Sequence, residues 1–226
     1  MNWLSFLKKE HGKEQAKATD EATESGARIE PTRLEIPLFP LSGVLFPGGV
    51  LSLKVFEQRY LDMAAACMKN ASPFGVCLIA NGKEVGQAAV PHPIGTLAHI
   101  DRGDMPQLGM LMLDVHGGRR FRIVSTTTQP DQLLRAQVEL LDEPPRQTVP
   151  TAQQALLPLL GKIVSDLGPE KMPAPHDFDD AAWVGYRLTE VVPVQALAKQ
   201  KLLELEDPVS RLEILFTYLS QRKLIV

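Results

Sequence analysis

His92, His99, His116, Cys67 and Cys77 are the residues closest in type to metal or nucleophilic chemistry in this 226-residue chain. A structural or catalytic metal needs Cys and His ligands at short spacings, and none of these five has a second Cys or His at such a distance. A folded meeting of His99 with Asp101 or Asp114 stays open. A hydrolase would need a nucleophile beside a base, for example Ser125 or Cys77 near His99, and no spacing supports that pair. G-x-S-x-G and H-E-x-x-H are both absent. Gly12-Lys13, Gly82-Lys83 and Gly161-Lys162 lack the upstream glycine and following Ser/Thr of a phosphate-cradling loop. The expectation is no catalytic residue, no metal and no cofactor. Both cysteines sit in apolar patterns and read as buried thiols rather than a disulfide.

The arginines point to binding instead. Arg120 and Arg122 alternate onto one face of a strand, with Phe121 and Ile123 on the other. With Arg119 and Arg135 they could grip the carboxylates of a polypeptide, or phosphates. Equally, they could bridge to Glu139, Asp114 or the helical part of the chain, the reading preferred here. Asp177, Asp179, Asp180, Glu190, Glu204, Glu206, Asp207 and Glu213 form an acidic run, read as a solvated face and first-turn helix acids. A net charge of -3 argues against a dedicated nucleic-acid binder.

Elements must position these groups. Hydrophobic content of 44% with 23% charged residues is ordinary for a soluble globular chain, so a sizeable core is expected. Pro37 and Pro40 confine the apolar Ile36–Leu41 strand to an edge or an entry strand, because proline gives a ladder no N–H. Phe56, Tyr60, Met63 and Cys67 share a helical face, and Ser72-Pro73 stops that helix. Phe74–Ile79 is a buried strand. The pattern predicts a turn at Gly103–Pro106, then strands 108–115 and 119–124 joined by a tight hairpin at His116-Gly117-Gly118. Such short strands suggest a curled, barrel-like sheet.

Pro144-Pro145 marks a change to helical periodicity. Thr151 with Gln154 reads as a capping box, with Pro158 and Gly161 disturbing the helix that follows. A second helix is predicted over Phe178–Val192. A third resumes after Pro193. The last starts with Asp207 as N-cap and Pro208 at the first helical position. No apolar run approaches the ~20 residues of a membrane span. The short apolar stretch in Met1–Lys9 does not read as a signal peptide, and residues 1–30 read as a polar tail.

Motif order adds a family. Ile36-Pro37-Leu38-Phe39-Pro40-Leu41, Val44-Leu45-Phe46-Pro47-Gly48 and Glu57-Gln58-Arg59-Tyr60 are followed by Ile94–Ile100, Gly118–Ile123 and Leu134–Glu139. In this order they resemble the amino-terminal, substrate-recognition domain of Lon-type ATP-dependent proteases. Lys199–Glu204, Asp207 and Arg211-Leu212 extend the likeness into the helical region. The resemblance implies an α+β fold: a β-rich, PUA-like pseudo-barrel lobe with one helix over 31–145, then an all-helical lobe of the same unit over 146–226. It implies a cytoplasmic, non-catalytic module that binds polypeptides or a protein partner, without the family's ATPase and peptidase parts. An apolar groove, placed between the lobes, is expected to involve Phe39, Leu41, Phe46, Phe56, Tyr60 and Phe121, with Arg120 and Arg122 at its rim. The alternative is an RNA-binding PUA-like module using the arginine strand.

Overall fold

Two prolines decide how the first strand can pair. In the computed structural model, which describes residues 32–225, β1 (Arg33–Leu41) meets β7 (Leu134–Leu140) antiparallel over Arg33–Leu38. It then meets β3 (Phe74–Asn81) in parallel over Leu38–Leu41. Each half of β1 therefore has one partner and one free flank, which suits residues that cannot donate to a ladder. The edge character expected from Pro37 and Pro40 exists half-strand by half-strand, although β1 as a whole lies inside the sheet. The polar tail expected over residues 1–30 lies outside the described residues.

β5 (Ile94–Gln107) and β6 (Met110–Thr128) complete the order β1-β7-β6-β5-β3, and the β1–β3 pairing curls the sheet back on itself. β4 (Val90–Pro91) adds to β3, while β2 (Val50–Val55) pairs with β6 alone. Helix α1 (Gln58–Asn70) buries Tyr60, Met63 and Cys67 against Phe39, Phe74 and Leu113. Phe56 precedes this helix and is exposed, so it leaves the helical face predicted for it. The other side of the sheet is closed by Ile36, Leu38, Phe121 and Leu134.

The hairpin predicted at His116–Gly118 does not form. Met110–Thr128 is one 19-residue strand, and neither Gly117 nor Gly118 has a positive φ. These glycines serve close approach instead of turning. A Cβ on Gly117 would lie 2.1 Å from the Phe46 carbonyl oxygen, and one on Gly118 would lie 2.6 Å from His99 Nε2. Gly117 also exchanges main-chain hydrogen bonds with Gly48 and Gly49 at 2.7 and 2.8 Å. The turn predicted at Gly103–Pro106 is likewise strand. The chain reverses at Leu108-Gly109, where Gly109 adopts φ +79°.

The helices are α2 (Leu156–Leu167), α3 (Ala181–Val191), α4 (Ala196–Glu204) and α5 (Pro208–Gln221). The Thr151 capping box is not made: Thr151–Gln153 is a 3-10 turn without a side-chain cap. Helix α2 begins after it, which puts Pro158 in the first turn, where an amide has no helical partner to lose. Asp180 sets the start of α3 by accepting from the Ala182 and Trp183 amides at 3.4 and 3.0 Å. Asp207 caps α5 as expected, accepting from the Ser210 amide at 2.7 Å with Pro208 next in line. Phe46, Ile94, Tyr186 and Leu203 form a separate buried cluster between sheet and helices.

Gly117→Ala should destabilise the fold by about 2 kcal/mol or more, since a methyl group would collide with a fixed main-chain carbonyl. Urea unfolding of both proteins measures this. An unchanged midpoint would remove close approach as the reason for glycine there.

Candidate functional site

A hollow of about 450 Å³ lies between the C-terminal half of β1 and the side of β2 away from β6. Five consecutive β2 residues, Leu51 to Val55, line it. Because successive strand residues point to opposite faces, this run means the hollow follows the strand's edge. Among the described residues no strand pairs with that edge. The opposite wall is Phe39 and Leu41, whose half of β1 pairs only with β3. Tyr60 and Phe56 close one end, with Val85 from the loop between β3 and β4. Phe56 and Val85 are 52% and 55% exposed, so apolar surface faces solvent here.

Local contacts hold this shape. Phe39 stacks on Tyr60 with ring centroids 4.1 Å apart, and the Arg59 guanidinium lies 4.5 Å from the Tyr60 ring centre. Burial pushes the Tyr60 hydroxyl up from its ordinary pKa, with Arg59 pulling the other way, so it stays a neutral hydroxyl in this wall. Glu84 accepts from the Ser42 amide at 2.5 Å, and Glu57 accepts from the Gly86 amide at 3.2 Å. These two carboxylates tie the β3–β4 loop to both walls.

A second hollow, also about 450 Å³, runs between sheet and helices and shares Gly43, Val44 and Leu51 with the first. Its far side is Leu167, Met172, Val191 and Val194. The two hollows adjoin at these shared residues and together form the mainly apolar channel referred to below, with Lys171, Glu190 and Lys199 in its second half. Next to it, the buried Arg187 of α3 donates to the Gly48 carbonyl, to the Pro47 carbonyl at 2.7 Å and to Glu190 Oε1 at 3.0 Å. Lys199 Nζ donates to the Glu190 carbonyl at 2.6 Å. Gly49 is needed here, since a Cβ on it would fall 1.9 Å from Glu190 Oε1.

Of the eight residues expected at a groove, Phe39, Leu41, Phe56 and Tyr60 come together in the first hollow. Phe46 and Phe121 are fully buried, Phe46 in the seam between sheet and helices and Phe121 inside the sheet. Arg120 is buried and donates to the Leu203 and Leu205 carbonyls at 2.8 and 2.9 Å, the helical bridge preferred from sequence. Arg122 is exposed, so the two do not form a common open rim. Arg135 pairs with Glu35 at 2.7 Å, and Arg119 donates to the Leu141 carbonyl at 3.0 Å.

Sequence reading passed over Leu51, Leu53 and Val55, although their alternation marks a strand with one apolar face. It also passed over Arg187, whose signal was a charge inside a helix otherwise buried from Val184 to Thr189. His99 stacks on His116 at 5.1 Å, and His116 Nδ1 lies 2.7 Å from Asp101 Oδ1. Burial first, then the neighbouring His116, lowers the pKa of His99, against the pull of Asp101. Among the described residues no group of three Cys, His or carboxylate side chains could hold a metal. Cys67 and Cys77 are buried free thiols, and burial raises the pKa of both.

A family model for the "ATP-dependent protease La (LON) substrate-binding domain" matches residues 35–221. The chain is 28% identical over 201 residues to Lon protease 2 of Herpetosiphon aurantiacus, covering 84% of itself and 24% of that protein. It is 25% identical over 185 residues to Lon protease of Cytophaga hutchinsonii, covering 78% of itself and 23% of that protein. The chain thus spans about a quarter of the length of these curated relatives. A crystal structure of a Lon N-terminal domain protein from Xanthomonas campestris superposes with TM-score 0.69 at 34% identity, over 82% of this chain and 98% of that one. The N-terminal domain of Mycobacterium avium complex Lon protease shares the fold, with TM-score 0.59 at 18% identity, over 83% and 98% of the two chains.

Burial, against the pull of Arg187 and Lys199, raises the Glu190 carboxyl from its ordinary 4.5 to about 7. The folded protein therefore keeps a proton that the unfolded chain releases, and stability falls as pH rises from about 4.5 to about 7. Glu190→Gln should flatten this fall, read as urea midpoints across that range. Parallel pH profiles for the two proteins would mean that Glu190 does not titrate there.

Proposed function

Because this chain belongs to the ATP-dependent protease La (LON) substrate-binding domain family, we propose that it binds exposed apolar segments of other polypeptides, or of a protein partner, without chemistry on them. The observation that carries this reading is the apolar channel along the unpaired edge of β2. An extended segment laid there finds main-chain donors and acceptors on one side and apolar side chains beneath, the two requirements of strand addition. Leu41, Leu51, Phe56 and Val85 are the half-buried and exposed side chains we assign to this surface, with Phe39, Leu53, Val55 and Tyr60 backing it from the core. Phe46, Phe121 and Arg120 are buried elsewhere in the fold and are not assigned to it.

The cytoplasm is the compartment we propose for it. Among the described residues no helix is long and apolar enough to cross a membrane. A nucleic-acid role for the arginine strand has less to stand on. Arg120 is engaged inside the protein, and Arg119 and Arg135 have partners nearby, which leaves Arg122 without neighbours for a phosphate-binding row.

Fluorescence anisotropy against a labelled, unfolded, apolar-rich polypeptide and a labelled single-stranded RNA, at low and moderate salt, separates these readings. The expected outcome is saturable, salt-tolerant binding of the polypeptide, weakened roughly tenfold or more by Phe56→Asp, an exposed position where folding should survive. Binding of RNA alone, falling steeply with salt, would overturn the proposal.

A further inference from the structure

Charge lines the channel as well as apolar surface. Six charged side chains border its two hollows: Lys54, Glu57 and Glu84 in the first, Lys171, Glu190 and Lys199 in the second. The protein itself engages all three carboxylates. Glu57 accepts from the Arg59 guanidinium at 3.1 Å and from the Gly86 amide, Glu84 from the Ser42 amide, and Glu190 from Arg187. Lys199 is engaged too, on the Glu190 carbonyl. Lys54 and Lys171 are both exposed, and among the described residues neither ammonium has a hydrogen bond or an ion pair. The charge that the channel leaves unanswered is therefore positive.

Position turns this into a preference. Lys54 lies on β2 itself, and Lys171 borders Val50 and Leu51 at the start of that strand. The two points are about 10–13 Å apart along the strand, at ~3.3 Å per residue. A segment laid along the free edge has the same rise, so two of its carboxylates about four positions apart can reach both ammoniums. The apolar residues between them then lie over Leu51. A lysine on a free edge repels a basic strand and gains nothing from a neutral one, whereas an acidic strand meets it with the opposite charge. Past Lys171 the surface is mixed in sign. Asp101 and Asp114 there are already paired with His116 and Arg102 at 2.7 and 3.1 Å, which leaves Glu170 as the carboxylate without such a partner among the described residues of that hollow.

Resting on the polypeptide-binding reading of the channel, we infer that its preferred occupant is an apolar segment of another polypeptide carrying two acidic residues about four positions apart, which pair with Lys54 and Lys171. Apolar segments with basic flanks are the ones refused. Labelled peptides titrated against the full chain test this. They share one apolar core and differ only in the pair of residues, about four positions apart, that brackets it: Glu, Gln or Lys. At low salt the Glu peptide should bind roughly fivefold tighter than the Gln peptide, and the Lys peptide more weakly than both, as exposed ion pairs allow. Moderate salt should shrink that spread and leave Gln-peptide binding in place. The chain carries a net charge of -3, so long-range attraction favours the Lys peptide, and a preference for Glu has to arise locally. Lys54→Glu/Lys171→Glu changes two exposed positions where folding should survive, and should reverse the order.

Saturable binding of all the peptides with equal affinity, or an order that the double variant leaves unchanged, would overturn the inference while leaving the client site intact. Binding of none of them would sink the client reading, and the inference with it.

Discussion

The C-terminal end of α4 is closed by two buried guanidinium groups, and the joining of sheet to helices depends on this. A helix leaves its last carbonyls without internal partners, and its C-terminus carries partial negative charge. Here Arg211 of α5 donates to the Leu202 carbonyl at 2.9 Å and to the Leu205 carbonyl at 2.6 Å. Arg120 of β6 donates to the Leu203 and Leu205 carbonyls. Leu205 thus accepts from a strand and from a helix at once. Among the described residues no carboxylate forms an ion pair with the fully buried Arg211, Asp207 acting on it only from a distance; its guanidinium lies 4.2 Å from the centre of the Tyr186 ring. Burial lowers its pKa, yet an arginine starts so far above neutrality that it stays charged. Losing either cation would leave carbonyls buried and unpaired, a larger cost than the loss of one net hydrogen bond.

The channel inherits its shape from that seam. Gln200 of α4 donates to the Ile94 carbonyl at 2.9 Å, fixing the start of β5. Arg187 of α3 holds the carbonyls of Pro47 and Gly48, just before β2 begins. The β2 strand is therefore hung from both sides, by its ladder with β6 and by the helical layer behind its first residue. Its far edge is left open because nothing else in the sheet reaches it: β1 turns away to β3 at Leu38. Pro37 and Pro40 thus bear on the channel indirectly, by making β1 a strand that takes one partner at a time.

Element types were legible where side chains themselves carry the signal. Asp207-Pro208 marks a helix start because a carboxylate and a missing amide are both local properties, and the structure agrees to the residue. Gly117-Gly118 misled for a physical reason: glycine signals either a turn or a close contact, and only the fold tells which. The long β6 strand needs both glycines to pass beneath Phe46 and His99. The seam was illegible in a different way. Arg120, Arg187 and Arg211 all donate to main-chain carbonyls, and no residue type marks a carbonyl as the intended partner. Among the candidate site residues, Phe39 and Tyr60 could be grouped because one helix and one strand bring them together. Phe46 and Phe121 have the same composition signal, and all four are buried, but these two pack in other clusters of the core.

An unpaired strand edge beside exposed apolar side chains is a hazard for most proteins, since it invites sheet extension by any passing chain. Natural folds usually blunt such an edge with a charge, a bulge, a proline or a covering loop. Here Lys54 lies on β2 itself, and the β3–β4 loop is drawn over one end through Glu57 and Glu84. These devices cover part of the edge and leave the stretch next to Leu51 and Leu53 reachable. Gly43, where the two hollows adjoin, is exposed, and a Cβ there would meet nothing within 4 Å. The free edge of β2 therefore has no side chain over it at that point, and the polypeptide-binding role proposed above would use that opening.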